Sequence, residues 1–290
     1  MSRQGQTVAE RLQDSFDSLT RAERQLAVSI RANYPVSGLG SITTLASNAK
    51  VSTPTVVRMV RKLGFTGFAE FQSELKSELE AKITNPIAKH ESWAENAPHQ
   101  HILNLFTEAV IDNIHKSLAQ IDHEAFDGAC ALLADQKASI YIAGGRITRA
   151  LADYFYMHMQ MIRGGVKPID SAANCWPHFL LEMKDKDILV IFDVRRYENS
   201  TIKLAELAKD RGVRIILFTD QWRSPVSKFA EVVFSSKIEV PSAWDSLAVT
   251  MLLMETMIAD VQGRTWGKTK ERIGELEKIF DRTGQFRRFS

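Results

Sequence analysis

Cysteine is scarce in this sequence: Cys130 and Cys175 are the only two in 290 residues, with no CxxC pair and no Cys/His ligand spacing. Neither a disulfide framework nor a zinc site is supported, and a reducing compartment is the default. Long apolar runs are missing too. No stretch reaches the ~18 residues that a membrane-spanning helix needs, and "MSRQGQTVAERLQDSF" at the start lacks the apolar core of a signal peptide. Both absences place the chain in the cytoplasm, with no membrane partner. Net charge is nearly absent: 37 basic and 35 acidic residues leave +2, so an electrostatic partner must be read from local charge. One local absence is informative. From Arg24 to Ala69 there is no Asp or Glu, whereas Arg24, Arg31, Lys50, Arg58, Arg61 and Lys62 are present. That segregation gives a positive surface suited to a polyanion such as the DNA backbone.

The chain is long enough for two domains, and its 44% hydrophobic content can supply their cores. Up to about Lys82, apolar residues recur at helical spacing (Leu19, Leu26, Ile30, then Ile42, Leu45, Ala46, Ala49), with no convincing strand. From Ala138 onward the short apolar runs "ASIYIA", "DILVIFDV", "VRIILFT" and "EVVFSS" alternate with longer amphipathic stretches, the signature of β-α units around a parallel sheet. Between the halves, "KITNPIAKHESWAENAPHQH" contains Pro86, Pro98 and no sustained period, and reads as a linker. His90, His99 and His101 fall there without the fixed geometry a metal site requires. A helix is expected from Ile102 to about Leu118. "DSLAVTMLLMETMIADV" reads as a long apolar helix for core or dimer packing.

"ITTLASNAKVSTPTVVRMVRKLGF" reads as two short helices joined by a tight turn. Thr53 can N-cap the second, Pro54 suits its first position and Gly64 its C′ position. At 100° per residue, Val56, Met59, Val60 and Leu63 share one face, with Thr55, Arg58, Arg61 and Lys62 opposite. An apolar stripe holds such a helix on its scaffold, hydroxyl residues Ser52, Thr53 and Thr55 mark its start, and Arg58, Arg61 and Lys62 can reach base edges and phosphates. A solvated basic helix is the alternative. Lys50, where glycine often sits at such a turn, must either tolerate positive φ or shift the turn.

"LTRAERQLAVSIRANYP" followed by "SITTLASNAKVSTPTVVRMVRKLGFTGFAEFQSEL" resembles the N-terminal helix-turn-helix domain of the RpiR family of bacterial transcriptional regulators, over about Leu19 to Leu75. The most specific parts are the "VS.PTVVR" run from Val51 to Arg58 and "KLGFTGFAEF" from Lys62 to Phe71. The resemblance implies a sugar isomerase (SIS) domain in the second half, which agrees with its β-α pattern. The expected fold is thus an all-α helix-turn-helix N-terminal domain plus an α/β doubly wound parallel-sheet SIS domain. The expected boundaries are a DNA-binding domain over 1–82, a linker over 83–101, a ligand-binding and dimerisation domain over 102–263 and a C-terminal helical tail over 264–290.

Doubly wound sheets bind ligands at the carboxyl ends of their strands, where loops lead into helices. "YIAGGRITRALA" resembles the family's Gly-x-Gly-x-Ser loop, with Gly144 at the first glycine, Arg146 at the second and Thr148 at the serine; Gly145 lies between. "VIFDVRRYENST" lies where family members that hold sugar phosphates carry Ser-x-Ser-Gly-x-Thr, and those positions fall on Asp193, Arg195, Arg196 and Glu198. Arginines cannot copy a backbone cradle, but they can clamp an anion through paired charge-assisted bonds. Arg146, Arg195 and Arg196 are therefore expected to converge on an anion, with Tyr197 as one wall. The alternatives are that Arg195 pairs with Asp193 or Glu198 and that Tyr197 only covers the sheet edge. Ser224 and Pro225 read as a helix start, and His158 and His178 as structural.

The function expected is a DNA-binding regulator, a homodimer or a pair of dimers on double-stranded DNA, responding to a small anionic metabolite such as a sugar phosphate or sugar acid. No catalytic residue, metal or cofactor is assigned. The alternatives are a sugar-phosphate isomerase with a basic helical extension, and a scaffold whose sheet domain only dimerises.

Overall fold

A computed structural model describes residues 6–32, 34–83, 86, 87, 89, 101–170, 172–284 and 286. His90, His99 and most of the expected linker lie outside them.

The N-terminal part is helical: α1 (Val8–Asp14), α2 (Arg21–Arg31), α3 (Ile42–Asn48), α4 (Thr53–Lys62) and α5 (Phe68–Ile83). Its core joins Leu26, Ala27 and Ile30 of α2, Leu45 and Ala46 of α3, and Phe71 and Leu75 of α5 to the apolar face of α4. Val56, Met59, Val60 and Leu63 are all fully buried there. Burying such side chains stabilises by about 1.5–3 kcal/mol each, so this stripe fixes the rotation of α4. Gly64 ends the helix with φ +91°, as its C′ position requires, and Lys50 takes φ +52° in the turn before α4. The cap differs from expectation. Ser52, not Thr53, is the N-cap; its hydroxyl accepts from the Thr55 amide at 3.4 Å, which puts Pro54 at the second helical position.

The C-terminal part adds α6 (Ile102–Leu118), α7 (His123–Ala134), β1 (Ile140–Gly144), α8 (Arg149–Ile162), β2 (Val166–Pro168), α9 (Trp176–Glu182), β3 (Ile188–Phe192), α10 (Asn199–Asp210), β4 (Arg214–Asp220), β5 (Val232–Ser236), α11 (Ala248–Arg264) and α12 (Trp266–Thr283). All five strands are parallel, in the order β2-β1-β3-β4-β5. The central strand β3 is buried on both faces, which explains why "ILVIF" is an unbroken apolar run. One core lies under α7, α8 and α11 and contains Ile142, Val190 and Phe218; the other, with Tyr141, Leu189 and Leu217, lies under α9 and α10. Strand β2 gave no apolar signal because it is a three-residue, half-buried edge.

The Met-rich helix α11 begins at Ala248 rather than Asp245, and Leu253, Met254, Met257 and Val261 belong to this single-chain core. His101 starts α6 by accepting the Leu103 amide on Nδ1 at 3.2 Å. His158 is 3.0 Å from the Tyr154 carbonyl and stacks on the Tyr154 ring, a structural role, whereas His178 is exposed.

The helical part rests on the carboxyl end of the sheet. Ala81, in the last turn of α5, packs against Val194, Trp222 and Ile238, while Lys237 Nζ pairs with Glu10 at 2.9 Å.

Candidate functional site

The strand order changes direction between β1 and β3, because the chain leaves β1 for β2 on one side and reaches β3 on the other. A doubly wound sheet opens a crevice there, beyond the strands' carboxyl ends. A cavity of about 340 Å³ occupies that place. The loops after β1 and β3 line it with Gly145, Arg146, Thr148, Arg195 and Arg196, and the loop before α11 contributes Trp244 and Asp245. Gly144 and Tyr197 do not line it.

Each loop is held internally. Thr148 stands where the resemblance placed a ligand hydroxyl, yet it accepts the Gly145 amide at 2.8 Å and donates to the Phe192 carbonyl at 2.6 Å. Its hydroxyl is committed to joining the two loops. Gly144 serves packing: a Cβ there would stand 2.7 Å from the Thr148 carbonyl oxygen and 2.9 Å from Arg149 backbone atoms.

Arg195 departs most from expectation. It pairs with neither Asp193 nor Glu198; Asp245 takes it in a two-pronged bond, Nε at 2.8 Å and Nη2 at 2.6 Å. Nη1 donates to the Ala81 carbonyl at the end of α5, and the guanidinium stacks 4.2 Å above the Trp222 ring. Lys89 meets the same Asp245 at 2.7 Å. Burial opposes the Asp245 charge, but bonds from Arg195 and Lys89 outweigh it and hold the carboxyl below its usual range. Arg195 is thus a junction between the cavity and the helical part. Arg146 and Arg196 differ from it: both are exposed, and neither guanidinium makes a hydrogen bond or ion pair among the described residues.

Tyr197 faces away from the cavity, where its hydroxyl donates to Asp220 Oδ1 at 2.6 Å and Lys82 lies over its ring. Asp220 is fully buried and also accepts the Arg195 amide at 2.7 Å and the Trp222 amide at 2.9 Å. Ser224 is the expected cap, accepting the Val226 amide, and it donates to Asp193 as well. Burial pushes the Asp193 carboxyl up to about 7 against that bond, with Asp220 and Glu198 adding repulsion. Asp245 and Lys89 were not anticipated from sequence: one read as a helix start and the other as linker.

On α4, Ser52, Arg58 and Arg61 are exposed and Thr53 is half-buried. Thr55 is not on the outward face. It is buried, its hydroxyl lying 2.9 Å from Ser52 Oγ and accepting from Arg58 Nη2 at 3.3 Å. Lys62 stays exposed, 41% in its side chain, but its Nζ pairs at 2.7 Å with Glu23, whose side chain is only 2% exposed. Burial raises the Glu23 pKa, but hydrogen bonds from Lys62 and Thr20 prevail and lower it. The acid-free stretch is therefore neutralised at one point by the residue just preceding it.

Residues 6–82 match the family model "Helix-turn-helix domain, rpiR family", and residues 132–259 match the SIS domain model. The chain carries an rpiR-type helix-turn-helix domain followed by a SIS domain. With this domain pair it is a DNA-binding transcriptional regulator. It is 25% identical over 233 residues to an uncharacterised HTH-type transcriptional regulator of Clostridium perfringens, covering 77% of this chain and 79% of that one. It is 24% identical over 244 residues to the HTH-type transcriptional regulator HexR of Escherichia coli, covering 81% of this chain and 79% of HexR. Its fold is similar to that of the Vibrio vulnificus NanR protein complexed with ManNAc-6P, with TM-score 0.53 and 18% identity over 95% of this chain and 98% of NanR. No described helix is long and apolar enough to cross a membrane.

Proposed function

We propose that this regulator binds a small, sugar-derived anion in the cavity between β1 and β3 and thereby changes how its helical domains engage DNA. Arg146 and Arg196 are the proposed anion-binding groups; Ser52, Thr53, Arg58 and Arg61 are the proposed DNA-facing residues. The observation that carries the reading is the double role of Arg195, which lines the cavity and holds the Ala81 carbonyl at the end of α5. An anion held by Arg146 and Arg196 beside the Arg195–Asp245–Lys89 cluster changes the electrostatics of that junction, and coupling follows if it binds one arrangement better than the other. The ManNAc-6P in the NanR complex supports a sugar derivative as ligand.

The protein acts in the cytoplasm, as a dimer reading two half-sites and without catalysis of its own. With α11 consumed by the core, support for a second copy comes from α6, where Leu103, Ile111 and Leu118 are exposed at spacings that put them on one face. Against an isomerase role, Asp193, the cavity carboxylate with a pKa near 7, is committed to the Ser224 hydroxyl and the Glu198 amide. Duplexes selected in vitro for binding to the full chain provide the test. Sugar acids and sugar phosphates that raise its melting temperature should change its affinity for those duplexes. If stabilising compounds leave DNA affinity unchanged, the coupling is refuted.

A further inference from the structure

Four backbone donors of the loops around the cavity are spent on the chain's own groups. The Gly145 amide goes to Thr148 Oγ1 at 2.8 Å, and the Arg146 amide to Glu198 Oε1 at 2.9 Å. The Arg195 amide goes to Asp220 Oδ2 at 2.7 Å, and the Glu198 amide to the Asp193 carboxylate. Backbone N–H groups in such loops, where strands lead into helix N-termini, are what an α/β fold ordinarily offers to a phosphoryl group. Here Glu198 supplies the anion. Its Oε1 lies 3.2 Å from where a Cβ on residue 145 would stand, so glycine at 145 leaves the carboxylate its room.

We propose that Glu198 determines the specificity of this cavity: by occupying the Arg146 amide it excludes a phosphoryl group, and the ligand is a hydroxylated monocarboxylate held by the Arg146 and Arg196 side chains. This rests on reading the cavity as the effector site. Charge supports it. The cavity is lined by four cations, Lys89, Arg146, Arg195 and Arg196, against three carboxylates, Asp193, Glu198 and Asp245. With all three carboxylates ionised, one further negative charge balances the lining, and a phosphate dianion exceeds it. Lys89 and Arg195 are held by Asp245, which leaves Arg146 and Arg196 as the free donors. A planar guanidinium matches a carboxylate through two parallel bonds and needs no backbone cradle. Glu198 Oε2, uncommitted among the described residues, accepts from a ligand hydroxyl.

Calorimetric titration of the full chain at pH 8, above the Asp193 pKa of about 7, with D-gluconate and with D-glucose 6-phosphate tests the proposal. The wild-type protein should bind gluconate at least ~10-fold more tightly, a difference of about 1.4 kcal/mol. Glu198→Thr, which frees the Arg146 amide and restores a hydroxyl, should tighten glucose 6-phosphate binding at least ~10-fold. Glu198→Gln, which keeps the size and removes the charge, should shift preference in the same direction and serves if the threonine variant unfolds. Equal binding of the two probes by the wild type, or no gain by either variant, overturns the role of Glu198 while leaving the effector site standing. If neither probe binds, or gluconate binding survives Arg146→Ala with Arg196→Ala, the effector-site reading itself fails.

Discussion

Arg195 and Asp245, fifty residues apart in sequence, share two hydrogen bonds of 2.8 and 2.6 Å in the lining of the cavity. The Arg195 side chain is 5% exposed, and its third nitrogen reaches the Ala81 carbonyl. This one guanidinium connects a loop of the sheet, the loop before α11 and the last turn of the DNA-binding part. Three elements depend on it.

Removing Asp245 leaves the buried Arg195 charge without its two-pronged partner, and removing Arg195 leaves Asp245 with Lys89 alone. Asp245→Asn and Arg195→Ala should each destabilise the chain by about 3–5 kcal/mol, seen as a lower denaturant midpoint. Hydrogen exchange at the end of α5 should rise in Arg195→Ala. Unchanged exchange there would mean that the Ala81 contact contributes nothing to docking.

Arg58 and Arg61 should behave differently from Lys62. Replacing either arginine with alanine should weaken binding to a selected duplex by about 1–3 kcal/mol if it reads a base, with little change in melting temperature. Lys62→Ala should instead cost roughly 1–3 kcal/mol of stability, because Glu23 loses the partner of a nearly buried carboxylate. A Lys62→Ala protein of normal stability and poor DNA binding would return Lys62 to the interface.

Stability should fall as pH rises from about 4 to about 7. Burial raises both Glu78 and Asp193 to about 7 in the folded chain, above their ordinary 4.5 and 3.8. Between those limits the folded state binds protons that the unfolded state has released, so their contribution is full below pH 4 and gone above pH 7. Each group accounts for a loss on the order of a few kcal/mol, by the 1.36 kcal/mol per unit conversion. Glu78→Gln should flatten part of the slope, and Asp193→Asn another part. Denaturation at a series of pH values would reveal either variant that keeps the full slope.

Gly144→Ala should destabilise more than Gly145→Ala. At 144 the new methyl meets backbone of Thr148 and Arg149 at 2.7–2.9 Å, atoms that cannot move without opening the turn into α8. At 145 it meets the Glu198 side chain at 3.2 Å, which can turn away. Equal melting temperatures for the two variants would show that the turn relaxes freely.

The sequence by itself determined what local pattern controls. The 100° spacing of Val56, Met59, Val60 and Leu63 set the buried face of α4, and Gly64 its end. The apolar runs located β1, β3, β4 and β5, and their crossover spacing made the sheet parallel, with the ligand loops at its carboxyl edge. Only the tertiary structure decided which charges are free. Arg195 and Arg196 are neighbours of one chemical type, yet the first is bound by Asp245 and Ala81 while the second stands open beside the cavity. Lys62 and Arg61 divide in the same way over Glu23. Periodicity is a property of consecutive residues and survives in the bare sequence. An ion pair depends on a few ångströms between residues that folding brings together across 39 or 50 positions.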